Sequence, residues 1–253
     1  MMHSLPDPEP EIERQEQGSP WSIADLMAFA IFFGLTVVLL PAVTIRIWRF
    51  FNPGLRLSDL TAIDQVLLQG VMNVLVVGFI AFLVKVVHRR SFLTTIHWFK
   101  DHNFGFGFLV ALGATMAVSV LIVSSFFPAD SPPPIERLLS SPAAMWVFAV
   151  FGIGVAPLFE EIMFRGFLFK VLSDIGGPAA AVPATAALFA LLHIPQLWGS
   201  WAGIVLIFGV GYVLSLVRLR SNSLIPSFII HTSYNAMLFG VFALSTLIQK
   251  SLR

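Results

Sequence analysis

Seven long apolar stretches, separated by short polar loops, constrain the fold of this chain more than any other feature. They fall at about residues 22–45, 64–87, 104–127, 143–172, 178–195, 200–217 and 224–249. A stretch of roughly 20 apolar residues can cross the hydrocarbon core of a bilayer as a helix. The sequence therefore predicts an all-α fold, a polytopic transmembrane helix bundle of about seven spans.

The composition agrees with a membrane location. Hydrophobic residues make up 57% of the chain and charged residues only 11%, which is far more apolar than a typical soluble domain. The net charge of +1 and the scattered lysines and arginines form no basic patch, so we expect no nucleic-acid partner. The chain has no cysteine, which excludes disulfides and cysteine-ligated metal sites.

The distribution of these features predicts three regions. Residues 1–20 hold five of the fourteen acidic residues and almost nothing apolar, a composition typical of a disordered tail. Residues 21–140 contain the first transmembrane helices. Residues 141–250 contain the remaining helices and all the motifs described below, so we expect this region to form the functional transmembrane domain.

Basic residues predict the orientation in the membrane. With seven spans, the side of the N-terminus collects eight lysines and arginines, and the opposite side collects six. Because cytoplasmic loops carry the excess of positive charge, we expect a cytoplasmic N-terminus.

Polar groups inside the apolar stretches are informative, because an ionisable side chain at bilayer depth is costly unless it is paired or hydrated. The first such group is Glu160 and Glu161 with Arg165. Glu161 and Arg165 are four residues apart and can pair on one helix face, whereas Glu160 points about 100° away. Two adjacent carboxylates with one cation are poorly neutralised, which suits one of them to act as a general base. The pair of Glu161 with Arg165 is equally compatible with a purely structural role.

Two further polar motifs lie in other apolar stretches. Phe189 and His193 are four residues apart, just before Pro195, and His231 and Asn235 repeat this spacing in the last stretch. A histidine can move a proton near neutral pH. A histidine with an asparagine one turn later can present two donors to a developing oxyanion. Each motif alone also fits a structural hydrogen bond between helices.

The three motifs can reach one another across the bilayer. Measured from the membrane face near residue 170, Glu160, His193 and His231 lie about 15, 22 and 10 Å deep, at about 1.5 Å rise per residue. We therefore expect a polar cavity in the C-terminal half of the chain. Such a cavity would bring together a base, a proton partner and an anion stabiliser, which are the components needed to attack an amide with water.

The motif order EExxxR, FxxxH and HxxxN resembles the CPBP family. This family comprises intramembrane endopeptidases, including the type II CAAX prenyl proteases, and bacteriocin-processing or immunity proteins. The resemblance covers roughly residues 143–249, and all three parts of the pattern are intact. It implies that residues 141–250 form a CPBP-type catalytic domain, that the substrate is a membrane-associated peptide or protein, and that the protein lies in a bacterial plasma membrane.

The resemblance also implies a role for each site residue. Glu160 would activate the water together with His193, while His231 and Asn235 would stabilise the tetrahedral oxyanion. Three residues would orient the site rather than react: Glu161, Arg165 and Phe189.

The resemblance leaves two catalytic types open, because the family has also been described as metal-dependent. Glu160, His193 and His231 make a carboxylate and two imidazoles with an open fourth position, a set that suits a divalent metal such as zinc. The alternative is a metal-free mechanism in which a glutamate activates the water. The resemblance favours the metal-free version.

Two other functions compete with proteolysis. One is a non-catalytic bacteriocin-immunity or peptide-binding membrane protein of the same fold. The intact set of carboxylates and histidines speaks against it, because a pure binder needs no such set. The other is a small transporter that uses these residues as proton relays. The lack of visible inverted repeats speaks against a transporter.

Overall fold

A computed structural model describes residues 20–54, 56, 59–100, 104–128 and 142–251. The predicted disordered tail, residues 1–20, lies outside these residues apart from Pro20, so its disorder stays a prediction. Within the described ranges every regular element is a helix, as the sequence predicts.

Most of the described chain is α-helix, with three segments of π-helix. The α-helices are α1 Ile23–Phe51, α2 Ala62–Phe82, α3 Phe92–Thr95, α4 Phe106–Ser125, α5 Pro142–Val150, α6 Ala156–Glu161, α7 Phe169–Gly176, α8 Pro178–His193, α9 Trp201–Ser221 and α10 Leu224–Ser251. The π segments are π1 Leu83–Val87, π2 Phe151–Val155 and π3 Ile162–Leu168. The elements α5, π2, α6, π3 and α7 follow one another without a break, and we call residues 142–176 the motif helix.

Six of the described helices are long and apolar enough to cross a membrane: α1, α2 with π1, α4, the motif helix from Met145, α9, and α10 as far as Thr246. The helix α8 is apolar but has only 16 residues. At about 1.5 Å per residue it is about 24 Å long, somewhat shorter than the roughly 30 Å hydrocarbon core. These helices confirm the polytopic bundle of about seven spans, and the chain is an integral, multi-pass membrane protein. Its orientation stays a prediction.

Capping boxes fix where the first two long helices begin. At the start of α1, Asp25 Oδ2 accepts from the Ser22 N–H at 2.8 Å, and the Ser22 hydroxyl accepts from the Asp25 N–H at 3.3 Å. Thr61 and Asp64 repeat this arrangement at α2. The second oxygen of Asp25 lies 2.9 Å from His88 Nε2, just after π1. The start of α1 is thereby tied to the end of the second span.

An aromatic cluster joins the first span to the motif helix. The ring of Phe167 in π3 lies 4.7 Å from that of Trp21 and 4.8 Å from that of Phe29, between centroids. All three side chains are buried. The N-terminal spans carry none of the three sequence motifs, but they support the segment that follows the glutamates.

A loop after the second span fixes the beginning of α10. His97, with φ of 60°, accepts at its carbonyl from the Leu224 N–H at 2.9 Å, and its Nδ1 lies 3.1 Å from the carbonyl of Asn222. Burial lowers the pKa of His97 to about 4. The imidazole is therefore neutral at neutral pH, and Nδ1–H donates to the carbonyl. This contact sets where α10 starts, and so where His231 lies along it.

Gly113 of α4 packs directly against the backbone of α10. A Cβ at this position would lie 2.8 Å from Ser233 Cβ and 3.0 Å from Tyr234 N, and it would also overlap the carbonyl of Ile230. Only glycine allows this approach. The contacted residues flank His231, so α4 supports the helix that carries the third motif.

Replacing Gly113 tests this packing. We expect Gly113→Ala to lower the free energy of unfolding by about 1–3 kcal/mol, because the new methyl group must push α4 away from α10. The control is Gly107→Ala on the same helix, where a Cβ would meet nothing within 4 Å. Thermal unfolding in detergent measures both variants. Equal melting temperatures would show that α4 and α10 are less closely packed.

Candidate active site

The motif helix changes its hydrogen-bond register on both sides of the glutamates. The sequence predicted one apolar helix across residues 143–172. In the structure, π2 and π3 enclose α6, which ends with Glu160 and Glu161. Segments of π-helix are rare and occur often at functional sites.

Glu161 forms the predicted ion pair with Arg165. Arg165 Nη1 donates to Glu161 Oε1 at 2.9 Å, and neither side chain has any exposed surface. Arg165 Nη2 donates to the carbonyl of Gly211 on α9 at 3.0 Å. The same Glu161 oxygen lies 2.9 Å from His231 Nδ1 on α10. A single carboxylate thus links the motif helix to two other helices.

Glu160 has a different environment from its neighbour. Its Oε2 lies 3.7 Å from His231 Nε2, and its side chain is 25% exposed, compared with 4% for His231. Glu161 has no exposed side-chain surface, whereas Glu160 faces the edge of one imidazole ring. Glu160 is therefore the carboxylate that a water molecule can reach.

Phe189 brings the two histidines together. Its ring centroid lies 4.4 Å from that of His193 and 5.7 Å from that of His231. The guanidinium carbon of Arg165 lies 4.6 Å from the same centroid. His193 Nδ1 lies 2.7 Å from the carbonyl of Phe189, so this nitrogen carries the proton and donates it to the carbonyl.

Asn235 binds a carbonyl that the motif helix leaves without a donor. In π2 the carbonyl of Phe151 accepts from the N–H of Ala156, five residues on. The next carbonyl, Gly152, faces Pro157, which has no N–H. Asn235 Nδ2 donates to Gly152 O at 2.7 Å. One of the two amide hydrogens of Asn235 is therefore engaged with the backbone of the motif helix.

The predicted site residues form one cluster. Direct contacts connect six of them, and they are Glu160, Glu161, Arg165, Phe189, His193 and His231. Asn235 lies one turn further along α10. A separate cavity between α8 and α9 is lined by apolar side chains, and these are Ala187, Ala190, Leu191, Ile204, Val205 and Phe208. It holds none of the site residues, so the polar cavity stays a prediction.

The predicted metal ligands are not arranged as a metal site. Among the described residues, no group of three or more His, Cys, Asp or Glu side chains is placed to hold a metal ion. His231 Nδ1 is bonded to Glu161, and His193 Nδ1 is bonded to a backbone carbonyl, which leaves Nε2 of each ring as its available ligand atom. Metal dependence therefore stays a prediction.

Sequence reasoning missed several residues that support this cluster. Arg218 lies at the end of an apolar stretch in the sequence, but it is 2% exposed and its Nε donates to the carbonyl of Arg165 at 3.1 Å. Ser215 donates to the carbonyl of Gly211, which also accepts from Arg165. Pro157, inside an apolar helix, was the one local sign of an irregular backbone.

Comparison with known protein families identifies the C-terminal half of the chain. Residues 142–237 match the family described as type II CAAX prenyl endopeptidase Rce1-like. No curated protein and no solved structure matches the chain. The Rce1-like match confirms the predicted family and, in broad terms, an intramembrane endopeptidase of the CAAX type. The matched segment contains every predicted site residue.

The buried pair in this Rce1-like segment can be tested against an exposed pair on the same helix. Lys170 and Asp174 have the same spacing and a 2.8 Å contact, but their side chains are 29% and 25% exposed. We expect Arg165→Met to cost about 3–5 kcal/mol of stability, because it leaves Glu161 buried without its cation. Lys170→Met should cost less than about 1 kcal/mol. Unfolding in detergent measures the stability of both variants. Similar losses in the free energy of unfolding would contradict a tightly buried pair.

Proposed function

We propose that the chain hydrolyses a peptide bond in a membrane-associated peptide or protein, with Glu160 as the general base. The Glu160 carboxylate takes a proton from a water molecule, and the water oxygen attacks the peptide carbonyl. The proton then passes to the leaving amine as the tetrahedral intermediate breaks down. The exposed fraction of Glu160 supports this role, because the enclosed Glu161 has no room for water.

His193 is proposed to hold the attacking water with Glu160. Its Nδ1–H is fixed on the carbonyl of Phe189, so in the neutral ring Nε2 is a hydrogen-bond acceptor. An acceptor of this kind can orient a water molecule and take up a proton. The backbone bond also sets the orientation of the ring before any substrate binds.

His231 and Asn235 are proposed to stabilise the oxyanion. Glu161 Oε1 accepts from His231 Nδ1, which holds the ring with Nε2 on the side of Glu160, and a ring that carries both protons donates through Nε2–H. The amide hydrogen of Asn235 that is not bonded to Gly152 supplies a second donor. Donors held in place before the reaction need no reorganisation when the charge develops.

One observation carries the proposal. Glu160, His193 and His231 come from three separate helices, and they surround Phe189 and the buried pair of Glu161 with Arg165. Buried charge of this kind is costly in a bilayer, and such groups mark functional sites. A purely structural ion pair would not account for the second carboxylate and both histidines.

The proposed mechanism is metal-free. The placement of Glu160, His193 and His231 supports this version, because the three side chains form no group that could hold a metal ion. Elemental analysis of active protein, together with cleavage in the presence of a chelator, tests this point. Loss of activity on chelation, restored by zinc, would overturn it.

The proposed substrate class follows from the family. A type II CAAX prenyl endopeptidase acts on prenylated CAAX tails, so a farnesylated peptide with a CAAX terminus is a suitable first probe. A bacterial plasma membrane is the proposed location.

Removing the proposed base tests the function directly. Glu160→Gln keeps the shape of the side chain but cannot take up a proton as a carboxylate does. We expect cleavage of the farnesylated probe to fall by about 10²- to 10⁴-fold at normal protein abundance. His193→Ala should lower it in the same direction. Mass spectrometry of the peptide products measures the rate.

A control for this experiment lies in α2. Gln69 donates to Asn73 within that helix at 3.0 Å, away from the cluster. Gln69→Ala should leave cleavage unchanged. Cleavage that survives in Glu160→Gln would reject Glu160 as the base.

A further inference from the structure

Arg218 is a second buried arginine beside the motif helix. It lies near the end of α9, is 2% exposed, and its guanidinium carbon lies 5.6 Å from the ring centroid of Phe169. Among the described residues, none of the ion pairs includes it. Burying a cation without a direct carboxylate partner is costly. The burial of the Arg218 side chain therefore requires an explanation.

The first reason is the backbone of π3. The carbonyl of Phe164 accepts from the N–H of Phe169, five residues on. In α7 each N–H again donates to the carbonyl four residues before it. The change from a spacing of five to a spacing of four leaves one carbonyl without a backbone donor. Arg165 has the next carbonyl in the series, and Arg218 Nε donates to it at 3.1 Å. In a membrane such a carbonyl must be bonded within the protein.

At the other end of α6, a side chain from another helix also donates to a carbonyl that lacks a backbone donor. There the carbonyl of Gly152, left free by Pro157, accepts from Asn235. The two π segments that enclose the glutamates are therefore each held by a polar side chain from a different helix. Together the two bonds fix α6 at both ends.

The second reason is charge. Glu160 and Glu161 place two carboxylates in the cluster, and Arg165 supplies only one cation. Arg218, bonded to the carbonyl of Arg165, supplies a second positive charge next to the motif helix. Charges attract one another strongly in this buried region, because water gives little screening there.

We propose that Arg218 is a positioning residue of the peptidase site, which holds π3 through the Arg165 carbonyl and balances the charge of the glutamate pair. This inference rests on the proposed function, because the position of Glu160 matters only if Glu160 acts on the substrate. Arg218 itself does not touch the substrate. It acts through the backbone of the residue that pairs with Glu161.

Kinetics of three variants test the proposal. Arg218→Met removes both the donor and the charge, and we expect kcat for the farnesylated probe to fall about 10- to 100-fold with little change in KM, because the base is misplaced while substrate binding is kept. Arg218→Lys keeps the charge and a donor and should recover most of kcat. The matched control is Arg220→Met, an exposed arginine on the same helix, which should behave like the wild type.

Each outcome bears on the proposal. A kcat of Arg218→Met equal to that of Arg220→Met would overturn it, and so would a fall that Arg218→Lys does not restore. If Arg218→Met does not fold, Arg218→Gln replaces it. That variant keeps a donor but loses the charge, and it should also lower kcat without raising KM. Thermal unfolding of every variant separates loss of fold from loss of position.

Amide exchange tests the backbone contact without any substrate. We expect residues 162–170 to exchange faster in Arg218→Met, which has no donor for the Arg165 carbonyl, than in Arg220→Met, while α1 exchanges at the same rate in both. Equal exchange in residues 162–170 would overturn the proposal even if the enzyme is active. A wild-type protein that cleaves no peptide would instead reject the proposed function, and the exchange result would still stand.

Discussion

The candidate site depends on one carboxylate oxygen, Glu161 Oε1, because lipid offers a buried charge no other partner. It accepts from Arg165 on its own helix and from His231 on α10. Arg165 also donates a hydrogen bond to the carbonyl of Gly211 on α9. The motif helix cannot rotate or slide against α9 and α10 without leaving a charge unpaired. The position of Glu160, the adjacent residue, follows from this linkage.

Local properties of the sequence were enough to predict the spans and the three motifs. Hydropathy over about 20 residues identifies a transmembrane helix, and a spacing of four residues predicts the pair of Glu161 with Arg165. The meeting of His193 and His231 at Phe189 required more, since nothing local connects α8 with α10. That these two histidines meet was predicted from the estimated depth of each residue in the membrane and from the resemblance to a family. The family match now covers the same residues.

The π segments and Arg218 could not be predicted in this way. A change of hydrogen-bond register inside an apolar helix leaves the hydropathy pattern unaltered, so π2 and π3 gave no signal apart from Pro157. Arg218 lies just before a loop, and its position in the sequence resembles that of a headgroup-binding cation. Its burial results from Phe169 and the Arg165 carbonyl, which belong to a distant part of the chain. Such contacts are a property of the assembled bundle.

Pro157 has a consequence that reaches beyond its own helix. As an imino acid it withholds a hydrogen from Gly152, and the carboxamide of Asn235 takes the vacant position. Asn235 therefore gives one amide hydrogen to the backbone of another helix, and α10 is joined to the motif helix before the glutamates as well as at Glu161. One imino acid in an apolar stretch thus makes the backbone of its helix depend on a side chain supplied from 83 residues further along the chain.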